Sequence, residues 1–177
     1  MKRLGLLRHA KSDWDDMSLR DFDRGLNDRG RRGAHLMGEH IIGHGGKWDK
    51  LIASPAERVK RTIEASGLDV PVIWEDRAYL GDSDMLLKLV VEHAGDADCV
   101  LLAAHNPGLH DLALELSASP DDSPLYAELL AKFPTAAFAV IAFDIASWSD
   151  LVPGSGTLIH FARPRDLDPD LGPQSGY

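Results

Sequence analysis

Short apolar runs alternate with stretches of helical periodicity along most of this chain, and that alternation restricts the fold more than any other feature. "RLGLLR" (3–8), "KLIAS" (50–54), "VPVIW" (70–74) and "CVLLAA" (99–104) read as strands. Helical patterns separate them. Asn27 offers an N-cap, and Ala34, Leu36, Met37, His40, Ile41 and Ile42 carry an apolar face up to Gly43. Pro55 suits the first turn of a helix reaching about Ser66. Pro71 cannot donate to a ladder, so 70–74 is expected at a sheet edge. Ser83 is expected to cap a helix through Met85, Leu86, Leu89 and Val90 that ends near Gly95, and Pro107 leads into a helix over "GLHDLALEL". A further short helix is expected around 124–132. "CVLLAA", apolar throughout, belongs at the sheet centre. The last two strands, "AFAVIAF" and "GTLIHFA", lie close in sequence and are expected to pair antiparallel. The expected fold is α/β: three α/β/α layers around a mostly parallel, mixed sheet, in one domain over 1–163. The polar, Pro/Gly-rich segment 164–177 reads as a loose C-terminal tail.

Composition narrows the function classes. With 177 residues, 44% hydrophobic and 27% charged, the chain is an ordinary globular domain able to bury a core. No apolar stretch reaches the roughly 20 residues of a membrane helix. The N-terminal run "LGLL" is cut by Arg8, well short of a secretory apolar region of about 7–15 residues, so a cytoplasmic protein is expected. The single Cys99 excludes an internal disulfide and, within its apolar run, reads as a buried structural thiol. A net charge of −9 argues against nucleic acid or an anionic membrane as partner. It leaves open a pocket whose local charge opposes the total.

Such a pocket is expected where the strands end. In open α/β sheets, ligands bind beyond the carboxyl ends of the strands, where helix N-termini also point. Three strand ends here carry unusual residues: Arg8-His9 after the first, "SPAER" with Arg58 after the second, and "AHNPG" with His105 and Asn106 after the central one. Parallel strands bring all three to one place. Two histidines and two arginines make an oxyanion site, and the arginine forks suit a phosphoryl group.

"LLRHAKSDW", "LNDRG", "ASPAERVKRTIEA" and "AHNPG", in this order and spacing, closely resemble the histidine phosphatase superfamily, nearest its short SixA-like phosphohistidine phosphatase branch. The resemblance runs from residue 3 to about 162 and implies a phosphoglycerate mutase-like fold. It implies that His9 is a nucleophile that becomes a transient phosphohistidine. Arg8 and Arg58 would clamp the non-bridging oxygens, with His105 adding a hydrogen bond and Asn106 a backbone N–H. It implies a hydrolase without metal or other cofactor. Its partner would be a histidine-phosphorylated signalling protein, namely a phosphotransfer domain or a phosphocarrier, and the enzyme would act as a monomer. Two departures stand out. Ala10 occupies a position often held by Gly, which the branch tolerates. Gly25 stands where the branch usually has the Pro of Arg-Pro-Leu, so the loop around Arg24 is in doubt; Arg24 is a candidate partner for Asp21 or Asp23.

Larger members of the superfamily place a general acid after the third strand. Glu75, Asp76, Asp82 and Asp84 are available there without a clear acid motif, and Asp82 or Asp84 reads more simply as a helix cap. An alkoxide leaving group needs such an acid, whereas imidazole, titrating near about 6.5, departs with little help. The weak acid signal therefore favours phosphohistidine as substrate. Short connections imply an open pocket, and Asp13, Asp15, Asp16, Asp21 and Asp23 beside the first motif are either a partner-facing or an ordinary solvated loop. The alternatives are a small-molecule phosphomonoesterase of the same mechanism, a catalytically silent phosphate-binding module and, more distantly, a mutase. The remaining histidines read as structural. His40 and His44 have the i,i+4 spacing of a metal pair, but the expected helix end at Gly43 separates them, and no third ligand is apparent. His35, His93, His110 and His160 read as packing or surface residues.

Overall fold

Six strands, β1 (Lys2–Arg8), β2 (Lys50–Ala53), β3 (Val72–Trp74), β4 (Cys99–Ala104), β5 (Phe138–Phe143) and β6 (Thr157–Ala162), form one sheet in the order β3-β2-β4-β1-β5-β6. The computed structural model describes residues 1–44, 46–120 and 122–173. β1, β2, β3 and β4 run parallel, β5 lies antiparallel to β1, and β6 antiparallel to β5. β4 is central and fully buried, as its unbroken apolar run requires, and β3 with Pro71 ahead of it lies at one edge.

Alternate side chains of each strand serve two different cores. Leu4 and Leu6 of β1 and Val100, Leu102 and Ala104 of β4 face the layer formed by α3 (Ser83–Ala94), α4 (Gly108–Leu116) and α5 (Pro124–Ala131). Leu7, Leu101 and Ala103 face the opposite layer, formed by α1 (Asp28–Gly43) and α2 (Glu57–Ser66). The three-layer architecture is that expected from the sequence. Among the described residues, no helix is long and apolar enough to cross a membrane.

Helix ends follow local chemistry. Asn27 caps α1 by accepting from the Gly30 N–H at 2.8 Å. The cap of α3 is Asp82, whose carboxylate accepts from Met85 N–H, rather than Ser83, which is the first helical residue. α2 begins at Glu57, so Pro55 precedes the helix instead of opening it. Helix α1 approaches its neighbours at glycines. A Cβ on Gly30 would lie 2.1 Å from the carbonyl oxygen of Lys11, and one on Gly38 would lie 1.9 Å from that of Ser66. These contacts seat α1 against both α2 and the loop that follows β1.

The C-terminal segment departs from expectation. Pro164–Leu167 form a short helix and Pro169–Leu171 a 3-10 turn. Arg29 donates to the carbonyls of Asp170 and Gly172, and Arg32 pairs with Asp168. Proline at the first helical position and Asp166 bonding back to Arg163 N–H supply the local signal for that turn. The last four residues of the expected tail lie outside the described residues.

Candidate active site

The carboxyl ends of β1, β2 and β4 lie side by side, and the residues that follow them form one pocket of about 310 Å³, open to solvent on one side. Arg8, His9, Arg58, His105 and Asn106, each singled out in the sequence, all line it. Lys11, Ser12, Trp14, Asp21, Leu80 and Thr135 complete the lining.

His9 directly follows β1. Its backbone is clamped on both sides, by its own N–H to the Ala104 carbonyl and by its carbonyl accepting from Ala136 N–H. Its Nδ1 lies 2.8 Å from the carbonyl oxygen of Ala10. A carbonyl only accepts, so Nδ1 carries the proton and the lone pair of the neutral ring is at Nε2. Ala10 is held in turn by its N–H to Thr62 Oγ1 at 2.9 Å, and that hydroxyl donates to the Arg58 carbonyl. The loop after β1 is thereby tied to the first turn of α2. Burial, reinforced by the Arg8 and Arg58 charges, pushes His9 down from 6.5 to about 4, so the ring is neutral at physiological pH.

His105, also buried, is pushed down to about 3, by burial first and then by His9 and Arg58. Its Nε2 lies 2.8 Å from Ser54 Oγ, while its Nδ1 has no partner among the described residues. The His9 and His105 rings stand 5.3 Å apart, and Tyr79 packs at a near right angle to His105 at 5.5 Å. Asn106 donates through Nδ2 to the Phe133 carbonyl, which also accepts from Arg8.

The two guanidinium groups differ. Arg8 makes a single hydrogen bond, to Phe133 O at 3.1 Å, and its buried Nε is unpartnered. Burial and the neighbouring Arg58 charge both lower its pKa. Buried donors ordinarily find an acceptor, so Arg8 has donor capacity to spare at the pocket. Arg58, 5% exposed, already holds Asp21, donating to its carbonyl at 2.8 Å and its carboxylate at 3.0 Å. The same carboxylate accepts from the Tyr79 hydroxyl at 2.6 Å, and that bond chiefly keeps Asp21 below its ordinary range. Asp21 was read from the sequence only as a loop acid and a candidate partner for Arg24. Its pairing with Arg58 and Tyr79 spans 37 and 58 residues and leaves no local signal.

Arg24 is not in the pocket. It is buried, donates to the carbonyls of Asp13, Asp16 and Leu19, and sits 3.9 Å over the Trp14 ring. It pairs with neither expected acid: Asp23 binds Arg20 and Asp21 binds Arg58. Arg24 therefore gathers the loop 13–19 and displays Trp14 at the pocket mouth.

The sequence similarities agree with this geometry. The histidine phosphatase superfamily (branch 1) profile matches residues 4–82. An uncharacterised protein of Mycobacterium leprae is 31% identical over 163 residues, spanning 90% of this chain and 100% of its own length. The chain belongs to the histidine phosphatase superfamily. A solved structure from Nakamurella multipartitia, assigned as a phosphohistidine phosphatase SixA, superposes with a TM-score of 0.83 at 29% identity, covering 92% of this chain and 96% of its own. A second SixA assignment, from Agrobacterium tumefaciens, gives 0.74 at 28% identity over 92% and 98%. The resemblance to the SixA-like branch holds at the level of the whole domain.

None of Glu75, Asp76, Asp82 and Asp84 lines the pocket. Glu75 is bonded by Arg77 and His93, which hold it down to about 2, and Asp82 caps α3. Among the described lining residues the one carboxylate is Asp21, ionised and engaged by Arg58 and Tyr79.

Of the remaining histidines, His93 bonds Glu75, His110 bonds the Leu129 carbonyl and His35 faces Glu39. One reading of the sequence is overturned. His40 and His44 do have a third histidine beside them, because the β5–β6 hairpin returns His160 to α1 from 120 residues away. Spacing along the chain cannot reveal such a partner.

Proposed function

We propose that this protein is a phosphohistidine phosphatase that acts through a covalent enzyme intermediate on a histidine-phosphorylated signalling or phosphocarrier protein. His9 Nε2 attacks phosphorus in line, forming the N–P bond as the bond to the substrate's imidazole nitrogen breaks. The departing imidazole takes that electron pair and a proton from solvent. Arg8 and Arg58 hold the non-bridging oxygens and His105 adds a hydrogen bond, so charge is stabilised where it spreads in the transition state. Water then attacks the phosphoenzyme, releasing phosphate and restoring His9. In this scheme the arginines supply the positive charge, and no step calls on a metal.

The observation that carries the reading is the state of the pocket's one carboxylate. Asp21 is already deprotonated and accepts from two donors, so it is not poised to protonate a leaving oxygen. A site of this kind suits a leaving group that needs little protonation. The pocket mouth supports a protein substrate: Trp14 and Leu80, 58% and 57% exposed, line it, and Met17 is exposed in the same loop as Trp14. Leu80 is held in the left-handed region (φ 54°), an unusual conformation for this side chain. Exposed apolar groups around a phosphate site fit a macromolecular surface better than a small hydrophilic metabolite.

The test is phosphate release from a chemically phosphorylated histidine protein, run beside a panel of phosphorylated metabolites, with His9→Ala as control. Release from the protein that is lost in the variant is the expected result. Turnover confined to one metabolite overturns the substrate assignment, and release that survives His9→Ala overturns the mechanism.

A further inference from the structure

At the far side of the same sheet, three imidazoles meet without any assigned purpose. His40 lies in the last turns of α1, His44 caps its C-terminus, and His160 stands on β6. One ring nitrogen of each falls within 4.8 Å of the others. His40 Nε2 and His160 Nε2 are 2.8 Å apart, and the His44 and His160 rings stack at 3.8 Å. His160 pairs in register with Val140, and Val140 with Gly5, four residues before His9. At about 3.3 Å per residue the trio is therefore some 13 Å along the strands from the nucleophile, and no trio residue lines its pocket.

We propose that His40, His44 and His160 bind one divalent ion of the zinc class, pinning the C-terminal end of α1 to the edge strand β6. Three neutral imidazoles are a ligand set that borderline ions prefer, and solvent supplies the fourth position because His44 is exposed. The His40–His160 contact is a near-formed edge of the polyhedron. Two nitrogens on one tetrahedral zinc, each about 2.0–2.1 Å from the ion, stand about 3.3 Å apart, so the pair opens by roughly half an ångström. The group contains no carboxylate, and its rings meet through the His40–His160 contact and by stacking.

The surroundings favour the deprotonated ligands that binding requires. Burial and the neighbouring His44 lower His40, and burial together with His44 and His40 lowers His160 to about 4. One cation opposes an incoming ion: Arg3 shares with His44 the shallow cleft at the end of α1. Its guanidinium is drawn towards Cys99 Sγ at 3.4 Å and stands 5.9 Å from the Trp48 ring centre.

The experiment is equilibrium dialysis of the full, untagged chain against Zn²⁺, followed by Co²⁺ titration read by visible absorption. One equivalent of Zn²⁺, a Co²⁺ spectrum of low coordination number and a raised melting temperature are expected. His44→Gln, at an exposed helix cap, and His160→Gln should each weaken binding by about 100-fold or more, beyond the 10–100-fold typical of outer-shell changes. Phosphatase turnover should be unchanged in both, and His9→Ala should retain the metal. Absence of saturable binding overturns the proposal. So does binding that persists in both glutamine variants, or binding that disappears in His9→Ala.

Discussion

Two groups of histidines lie around this sheet, and they differ in what surrounds them. His9 and His105 are buried beside two guanidinium groups, each ring held by a single non-histidine oxygen, from Ala10 or Ser54. His40, His44 and His160 face one another, with no carboxylate in the group. Both environments lower imidazole pKa values, at His9 and His105 in one and at His40 and His160 in the other, yet they suit opposite ligands. Adjacent arginines suit the first to an anion, and the Nδ1 contact with the Ala10 carbonyl leaves the lone pair of His9 at Nε2. The second offers several ring-nitrogen lone pairs to one point, which suits a cation. Residue type alone does not separate the two; what the rings face does, guanidinium groups in one and other imidazoles in the other.

The largest effect expected from breaking that contrast is at the arginines. Arg58→Ala or Arg8→Ala should lower kcat/KM on a phosphohistidine protein by about 10²–10³-fold, the usual cost of one transition-state donor. Arg58→Lys should recover little, because an ammonium cannot span both oxygens. Recovery to near wild-type rates would show that charge, and not the fork, matters.

The pH dependence sharpens the contrast further. With the free-enzyme pKa of His9 near 4, the acid limb of kcat/KM should lie below pH 5 once substrate ionisation is subtracted. A limb centred near 6.5 would contradict the buried, neutral nucleophile. Stability should not distinguish the two groups. His9, His105 and His160 all have folded values below 6.5, at about 4, 3 and 4. The unfolded chain therefore binds more protons in that window, and stability, fully present above pH 6.5, falls as pH drops towards 4. Urea unfolding at several pH values checks the sign, and His160→Gln and His105→Gln should each flatten the slope.

The smallest effect is at Asp21. Removing its charge with Asp21→Asn should tighten inhibition by inorganic phosphate about fivefold, the equivalent of roughly 1 kcal/mol between like charges at 4 Å in water. Weakened inhibition would mean that Asp21 serves mainly to position Arg58.

The parts of this molecule legible in the sequence are those set by local pattern. Alternating apolar runs announced the strands, Asn27 announced the start of α1, and the strand-end residues Arg8, His9, Arg58, His105 and Asn106 converge because parallel strands leave no other arrangement. What stayed hidden depends on contacts between distant segments. Asp21 reaches Arg58 and Tyr79 through the path of one loop, and His160 reaches His40 through a hairpin. The tail from Pro164 looked loose because its composition is polar, but its order comes from carbonyls bonded by Arg29, a partner 141 and 143 residues away. Arg24 has acids close by in sequence, yet its partners are backbone oxygens, which sequence does not display.

The central claim is that His9 Nε2 becomes the phosphoryl carrier, and the most direct measurement is to catch it there. The protein is mixed with a phosphohistidine substrate, quenched within milliseconds in alkali, where phosphohistidine survives, and analysed by peptide mass spectrometry. The account predicts a single phosphoryl group on the peptide containing His9, lost on acid treatment and absent in His9→Ala while His160→Gln still shows it. Turnover with no phosphate on His9 at any quench time, or phosphate carried on His105, would contradict it.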